Sequence, residues 1–152
     1  MRHINAAGTA LIKSFEQCRL TAYRDGGGVL TIGWGHTGPD VRAGLVITQE
    51  HADSLYELDI ARFEEGVESL LTVQVSDNKF AALVSIAYNV GLDIDDDTKA
   101  EGLGDSTLLK KVNAGDFAGA ALEFAKWNHD NGKVVAGLTR RRAAEAKLFE
   151  TA

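Results

Sequence analysis

The stretch Glu16-Gln-Cys-Arg-Leu-Thr-Ala-Tyr-Arg-Asp25-Gly-Gly-Gly-Val-Leu-Thr31-Ile-Gly-Trp-Gly-His36 decides the fold. Short β-type runs in it are broken by Asp25-Gly26-Gly27-Gly28, then by Gly33 and Gly35, the punctuation of antiparallel strands joined by turns. With Gly38-Pro39 just beyond, residues 20–47 are predicted to form a small three-stranded sheet, with Asp25 in the first turn and Thr31 on the second strand. Upstream, Ile4, Ala7, Leu11 and Phe15 fall on one helical face, so a helix leads in and Glu16 stands at its C-terminal end.

Downstream the period changes to that of helices. Thr48 is an N-cap candidate, and Tyr56, Ile60, Phe63, Val67 and Leu70 continue a long helix over about 49–71 that joins what lies on either side. Ser76 or Asp77 caps the next, whose face of Phe80, Leu83, Val84, Ala87 and Tyr88 ends at Gly91. Three more are expected over 108–113, 117–127 and 138–149. The order, one helix, a small sheet and then five helices, reads as α+β, and the long helix could join two lobes.

A chain of 152 residues, 45% hydrophobic and 25% charged, suits one domain with one sizeable core. The single cysteine, Cys18, excludes an internal disulfide. No apolar run near the N-terminus is long enough for a signal segment or a membrane span, so no stable membrane insertion is expected. A net charge of -6 argues against nucleic acid or anionic membrane as partner. His3, His36, His51 and His129 lack metal-ligand spacing, so no zinc site is expected. Gly33-Trp-Gly35-His-Thr-Gly38 satisfies a dinucleotide fingerprint, yet Pro39-Asp40 follows where a phosphate-binding helix should open. Asp93, Asp95 and Asp97 imitate a calcium loop, but Thr98 stands in the glycine position and Gly104 in that of the bidentate glutamate. No metal or organic cofactor is therefore expected, and the acidic segment Asp93–Asp105 reads as a solvated loop.

Hydrolysis of a glycosidic bond needs an acid to protonate the leaving oxygen and a second carboxylate to activate water or to stabilise developing positive charge. Glu16 and Asp25 can divide those roles. The run Phe15-Glu16, Arg19-Leu20, Tyr23, Asp25, Gly28, Thr31-Ile32-Gly33, Gly35-His36 resembles the active-site signature of the phage T4-type lysozymes. These muramidases, glycoside hydrolase family 24, include many phage endolysins. Eight residues separate Glu16 from Asp25 and five separate Asp25 from Thr31, as in that family's Glu, Asp, Thr triad. The pattern recurs in Tyr88-Asn89-Val90-Gly91, Ser106-Thr107-Leu108-Leu109, Asn113-Ala114-Gly115-Asp116, Trp127 and Gly137-Leu138-Thr139-Arg140-Arg141-Arg142 with Glu145, so it spans nearly the whole chain.

The resemblance implies a single lysozyme-like α+β domain: a small three-stranded sheet lobe over about 15–47, a connecting helix over about 49–71, and a larger helical lobe over about 75–150 with the N-terminal helix, the substrate lying in the cleft between. It also implies cleavage of the β-1,4 bond between N-acetylmuramic acid and N-acetylglucosamine in bacterial peptidoglycan. Glu16 would be the general acid, Asp25 the carboxylate facing the anomeric carbon, and Thr31 a holder of the attacking water. Substrate-binding or supporting places are implied for Gly35, His36, Asn89, Gly91, Ser106 and Arg141. It also implies a monomer that accumulates in the infected host's cytoplasm and reaches the periplasm and wall at lysis with the help of a holin. Two rivals carry different chemistry: a lytic transglycosylase, in which the muramic acid 6-hydroxyl replaces water, and a noncatalytic wall-binding module. In the last helix Arg141, Arg142 and Glu145 share the side of Leu138, Leu148 and Phe149, and charges facing inward need partners. Arg141 is expected either to reach Glu16, which the resemblance favours, or to pair internally with Glu145 at i, i+4.

Overall fold

The computed structural model describes residues 1–95 and 97–152. Asp96, within the acidic segment, lies outside the described residues. Helix α1 (Ala6–Glu16) leads into strands β1 (Arg19–Arg24), β2 (Leu30–Gly33) and β3 (His36–Thr37). They form one antiparallel sheet in the order β1-β2-β3, with Thr31 opposite Tyr23 on one side and Thr37 on the other. Helices α2 (Gln49–Leu70), α3 (Asp77–Val90), α4 (Thr107–Asn113) and α5 (Phe117–Glu123) follow, the last running into a 3₁₀ turn, Phe124–Lys126. A hairpin, β4 (His129–Asp130) and β5 (Lys133–Val134), then precedes α6 (Ala136–Glu150). Among the described residues no helix is long and apolar enough to cross a membrane.

Helix starts follow side-chain chemistry. Asn5, Thr48, Ser76, Ser106 and Asp116 each accept the backbone N–H three residues on, satisfying a donor that a helix leaves unpaired. Gly91, at φ 100°, closes α3. Gln17, at φ 55°, ends α1 in a conformation that non-glycine residues seldom adopt, and this turn sets the direction in which β1 leaves Glu16.

Two apolar clusters hold the elements. The larger gathers around α3, whose residues from Phe80 to Ala87 are all buried, with Leu103, Leu108, Phe124 and Phe149 packed on it. The smaller lies under the sheet and contains Ile32, Val41, Ile47 and Ala52. Helix α2 contributes Ala52 to the small cluster and Tyr56, Ile60 and Val67 to the large one, while Trp34 packs against both. The Tyr88 hydroxyl donates to the Trp34 carbonyl at 2.7 Å, tying α3 to the turn between β2 and β3.

Helices α1 and α3 touch so closely that Gly8 has no room for a side chain: a Cβ there would lie 2.7 Å from the Ala81 Cβ. Gly8→Ala is expected to destabilise the fold by about 2 kcal/mol, although alanine is the better helix former, because two backbone-bound carbons cannot rotate away. Urea denaturation would check it; an unchanged midpoint would mean that α1 moves aside at no cost.

Three features differ from the sequence expectation. The helix expected over 117–127 turns 3₁₀ at Phe124. The β4–β5 hairpin was not foreseen, although Asn131-Gly132 at its tip is the strongest short-range hairpin signal, and both residues adopt positive φ (51° and 76°). The acidic segment is anchored rather than simply solvated. Leu103 N–H donates to the Gly91 carbonyl and Gly104 N–H to that of Leu92, while Asp93 Oδ2 accepts the N–H groups of Glu101 and Gly102.

Candidate active site

A cavity of about 730 Å³ opens between the sheet turns and the helices. Glu16 from the end of α1, Asp25 from the β1–β2 turn, Thr31 from β2 and Gly35 from the β2–β3 turn line it on one side. Tyr88 and Asn89 from α3, and Trp127, His129 and Asp130 from the hairpin region, line the other. Glu16, Asp25, Thr31, Gly35 and Asn89 are thus brought together as expected.

Each side chain is held by local chemistry. Glu16 Oε2 accepts from Arg141 Nη1 at 2.5 Å, and the rest of its carboxyl lies against Gly35. A Cβ on Gly35 would stand 3.1 Å from the Glu16 carboxyl carbon, and the residue sits at φ 87°, so space and backbone both demand glycine. Asp25 Oδ1 accepts the N–H groups of Gly27 and Val29, each at 2.9 Å, the Asx geometry of a tight turn. Among the described residues Asp25 Oδ2 accepts no hydrogen bond and is free for a ligand or water. Thr31, only 4% exposed, donates its hydroxyl proton to the Val29 carbonyl at 2.9 Å, leaving the oxygen lone pairs to accept.

The cavity's phenols stay protonated. Burial, then the nearby Glu16 carboxylate, pushes Tyr88 far up, and the same two causes raise Tyr23. The Tyr23 hydroxyl can therefore donate at any working pH, while the single Tyr88 proton is committed to the Trp34 carbonyl and its oxygen is left to accept.

Behind Glu16 lies a buried charge network. Arg141 Nε and Arg142 Nε pair with Glu145 at 3.3 and 2.6 Å, the Ser85 hydroxyl donates to Glu145 at 2.5 Å, and Arg141 Nη2 donates to the Ser85 carbonyl. Both readings of Arg141 hold at once: it reaches Glu16 and pairs with Glu145. Burial works against both charged forms, pushing Glu145 up and Arg142 down, and guanidinium-carboxylate attraction offsets it.

His36, Gly91 and Ser106 do not line the cavity. Ser106, grouped with the site in the sequence reading, is a buried helix cap whose hydroxyl accepts from Leu109 and donates to Leu103. Gly91 is the cap of α3 and accepts the Leu103 N–H. His36 is clamped by Asp59 at 2.7 Å and Asp40 at 2.9 Å, fixing β3 to α2 beside Gly35. Burial alone would lower its pKa, but the two aspartates outweigh that and raise it. A raised histidine stabilises the fold fully below its unfolded pKa, about 6.5, and loses that contribution as pH climbs through the folded value. His36→Asn is therefore expected to cost about 1 kcal/mol more at pH 5 than at pH 9 in denaturation curves, since partly exposed pairs are screened; an equal cost at both would contradict it.

Residues that sequence reasoning missed are Asp59, Ser85, His129 and Asp130. Only the last two had a signal, the Asn-Gly turn that carries them. Two carboxylate groups form in the acidic segment, Asp93 with Asp95 and Glu101, and Asp95 with Asp97 and Asp105. Slight burial and then three like charges raise Asp105. Nothing distinguishes these groups from solvated surface acids.

An α+β fold whose cavity joins a helix-end glutamate, a turn aspartate and a buried strand threonine is of the lysozyme-like class. Residues 13–145 match the phage lysozyme family, and the chain belongs to it. It is 47% identical over 151 residues to the endolysin of Bacillus phage B103, covering 98% of this chain and 54% of that protein. It is 40% identical over 154 residues to the endolysin of Acyrthosiphon pisum secondary endosymbiont phage 1, covering 99% of each. The muramidase domain of SpmX from Asticaccaulis excentricus has a similar structure, with TM-score 0.83 and 39% identity over 99% of this chain and all of that one. The chain spans about half the length of the Bacillus phage relatives it matches.

Proposed function

We propose that this protein is a phage endolysin of the muramidase type, cutting the β-1,4 bond between N-acetylmuramic acid and N-acetylglucosamine in peptidoglycan. The observation that carries the reading is the convergence of Glu16, Asp25 and Thr31 on one cavity, with Glu16 held by Arg141 and one Asp25 oxygen free. Glu16 gives its proton to the glycosidic oxygen as the bond to the muramic acid anomeric carbon breaks. Water held by Asp25 Oδ2 and the Thr31 oxygen adds to that carbon and passes its proton to the aspartate. The Tyr23 hydroxyl can donate to the sugars, the Tyr88 oxygen can accept from them, and the Asn89 amide can do either. Residues 15–47 form the sheet-side wall of the cleft, α2 its connector and residues 75–150 with α1 its helical wall.

The wider setting follows from endolysin biology: a monomer made in the host cytoplasm that meets its substrate once a holin has opened the membrane. Release of reducing groups from purified peptidoglycan tests the activity. Asp25→Asn is expected to lower kcat by about 10²-fold or more, because an amide cannot take the proton from water. A rate within threefold of the parent would remove Asp25 from the reaction.

A further inference from the structure

Lys13 stands one helical turn before Glu16 on α1, and its ammonium lies between two aromatic faces, 4.9 Å from the Trp34 ring centroid and 4.7 Å from that of Tyr56. Both distances fall inside the ~6 Å over which a ring face attracts a cation. The Asp53 carboxylate goes to the indole instead, its Oδ1 accepting from Trp34 Nε1 at 2.8 Å and from the Gln49 amide at 3.0 Å. Lys13 does not line the cavity, so it has no contact with a substrate bound there.

Trp34 occupies the turn that carries Gly35. Gly33 and Gly35 flank it at φ 64° and 87°, so the backbone on either side has little stiffness of its own. The turn is placed by the ties of Trp34 to three helices: Lys13 of α1 on its ring, Asp53 of α2 on its indole N–H, and the Tyr88 hydroxyl of α3 on its carbonyl. The first of these joins the turn to the helix that bears Glu16. Residues 13 and 16 share a helix face and meet residues 34 and 35 as two rungs. On the second rung Glu16 Oε1 lies against Gly35, while Oε2 accepts from Arg141. An oxygen that accepts a guanidinium N–H is the poorer site for a proton, so the proton Glu16 donates sits on Oε1, and the Gly35 turn sets where it points. We propose that Lys13 is a positioning residue for the reaction: its ammonium, clasped between Trp34 and Tyr56, fixes the Trp34–Gly35 turn against the end of α1 and so holds the proton-bearing oxygen of Glu16 toward the bond to be cut. The role rests on the muramidase reading above; the clasp itself does not.

Lys13→Met keeps an aliphatic stem between the rings and removes the charge. Release of reducing groups from peptidoglycan is expected to show kcat about tenfold lower with KM within about twofold, the split of a residue that acts through Glu16 rather than on binding. Lys13→Arg, whose guanidinium can stack on the same rings, should recover most of the loss. Val112→Ala truncates the buried core and lines no part of the cavity, so it serves as the stability control. It should lower the melting temperature and leave kcat unchanged at a temperature where every variant is folded. A parent-like kcat in Lys13→Met, an equal loss in Lys13→Arg, or a matching loss in Val112→Ala would overturn the proposal. Proton NMR tests the clasp without turnover. In the parent the Lys13 ε-methylene protons should be displaced upfield by the two rings, and the indole N–H signal of Trp34 should move in Lys13→Met while that of Trp127, the other tryptophan, stays. Clasp signals in a parent that releases no reducing ends would overturn the muramidase reading and the positioning role with it, whereas their absence in an active parent would overturn the role alone.

Discussion

Glu16→Gln is expected to cut the rate of reducing-group release from peptidoglycan by roughly 10³-fold while leaving the fold intact. Glutamine keeps the shape and can still hydrogen-bond, but it has no proton of suitable acidity to give a leaving alkoxide. The fold should survive because Arg141, deprived of Glu16, retains Glu145 and the Ser85 carbonyl as partners. Circular dichroism and a melting curve on the same sample separate the two effects. Binding to insoluble peptidoglycan should persist, since the tyrosines, Asn89 and the Asp25 turn are untouched. A near-native rate in Glu16→Gln would mean that another group supplies the proton.

The largest stability effect is expected at Glu145, which is fully buried between two arginines. Glu145→Ala leaves Arg141 and Arg142, themselves 4% and 0% exposed, sharing the interior without their common anion. Breaking a buried ion pair from one side costs about 3 to 5 kcal/mol, because guanidinium groups cannot shed their charge. The urea midpoint should fall accordingly, and activity should fall with it, since Arg141 would no longer be braced while holding Glu16. The double change Arg142→Met with Glu145→Leu removes both buried charges of the tightest pair. It is expected to be less costly than Glu145→Ala alone; a double variant worse than the single would show that the network is worth more than its desolvation.

Much of this arrangement was legible in the chain. Thr48, Ser76 and Gly91 stand at their helix ends because cap chemistry is local, and Asp25 lies in the first turn because three glycines follow it. The meeting of Glu16, Asp25 and Thr31 was legible because their spacing agreed with the family resemblance, in a segment short enough for one helix end and one hairpin to bring together; spacing alone would not have distinguished the two carboxylates from unrelated surface acids. Long-range partners were not. Asp59 lies 23 residues from His36, and Ser85 lies 60 from Glu145, and neither carries a local mark of its role. The inward Arg141, Arg142 and Glu145 announced a need for partners but left two pairings open, and the structure uses both. Ser106 shows the opposite limit: a cap serine and a ligand-binding serine look alike in sequence, and only burial of its hydroxyl in the α4 cap tells them apart. The β4–β5 hairpin was within reach through Asn131-Gly132, yet its strands of two residues each are too short to show alternation.

The most direct measurement is mass spectrometry of fragment ends after purified peptidoglycan is incubated with the protein. Fragments ending in reducing N-acetylmuramic acid, absent when Glu16→Gln replaces the parent, are the expected result and require water as the acceptor that Asp25 and Thr31 hold. Ends in 1,6-anhydromuramic acid would contradict it, since the sugar's own hydroxyl would then have displaced the leaving group.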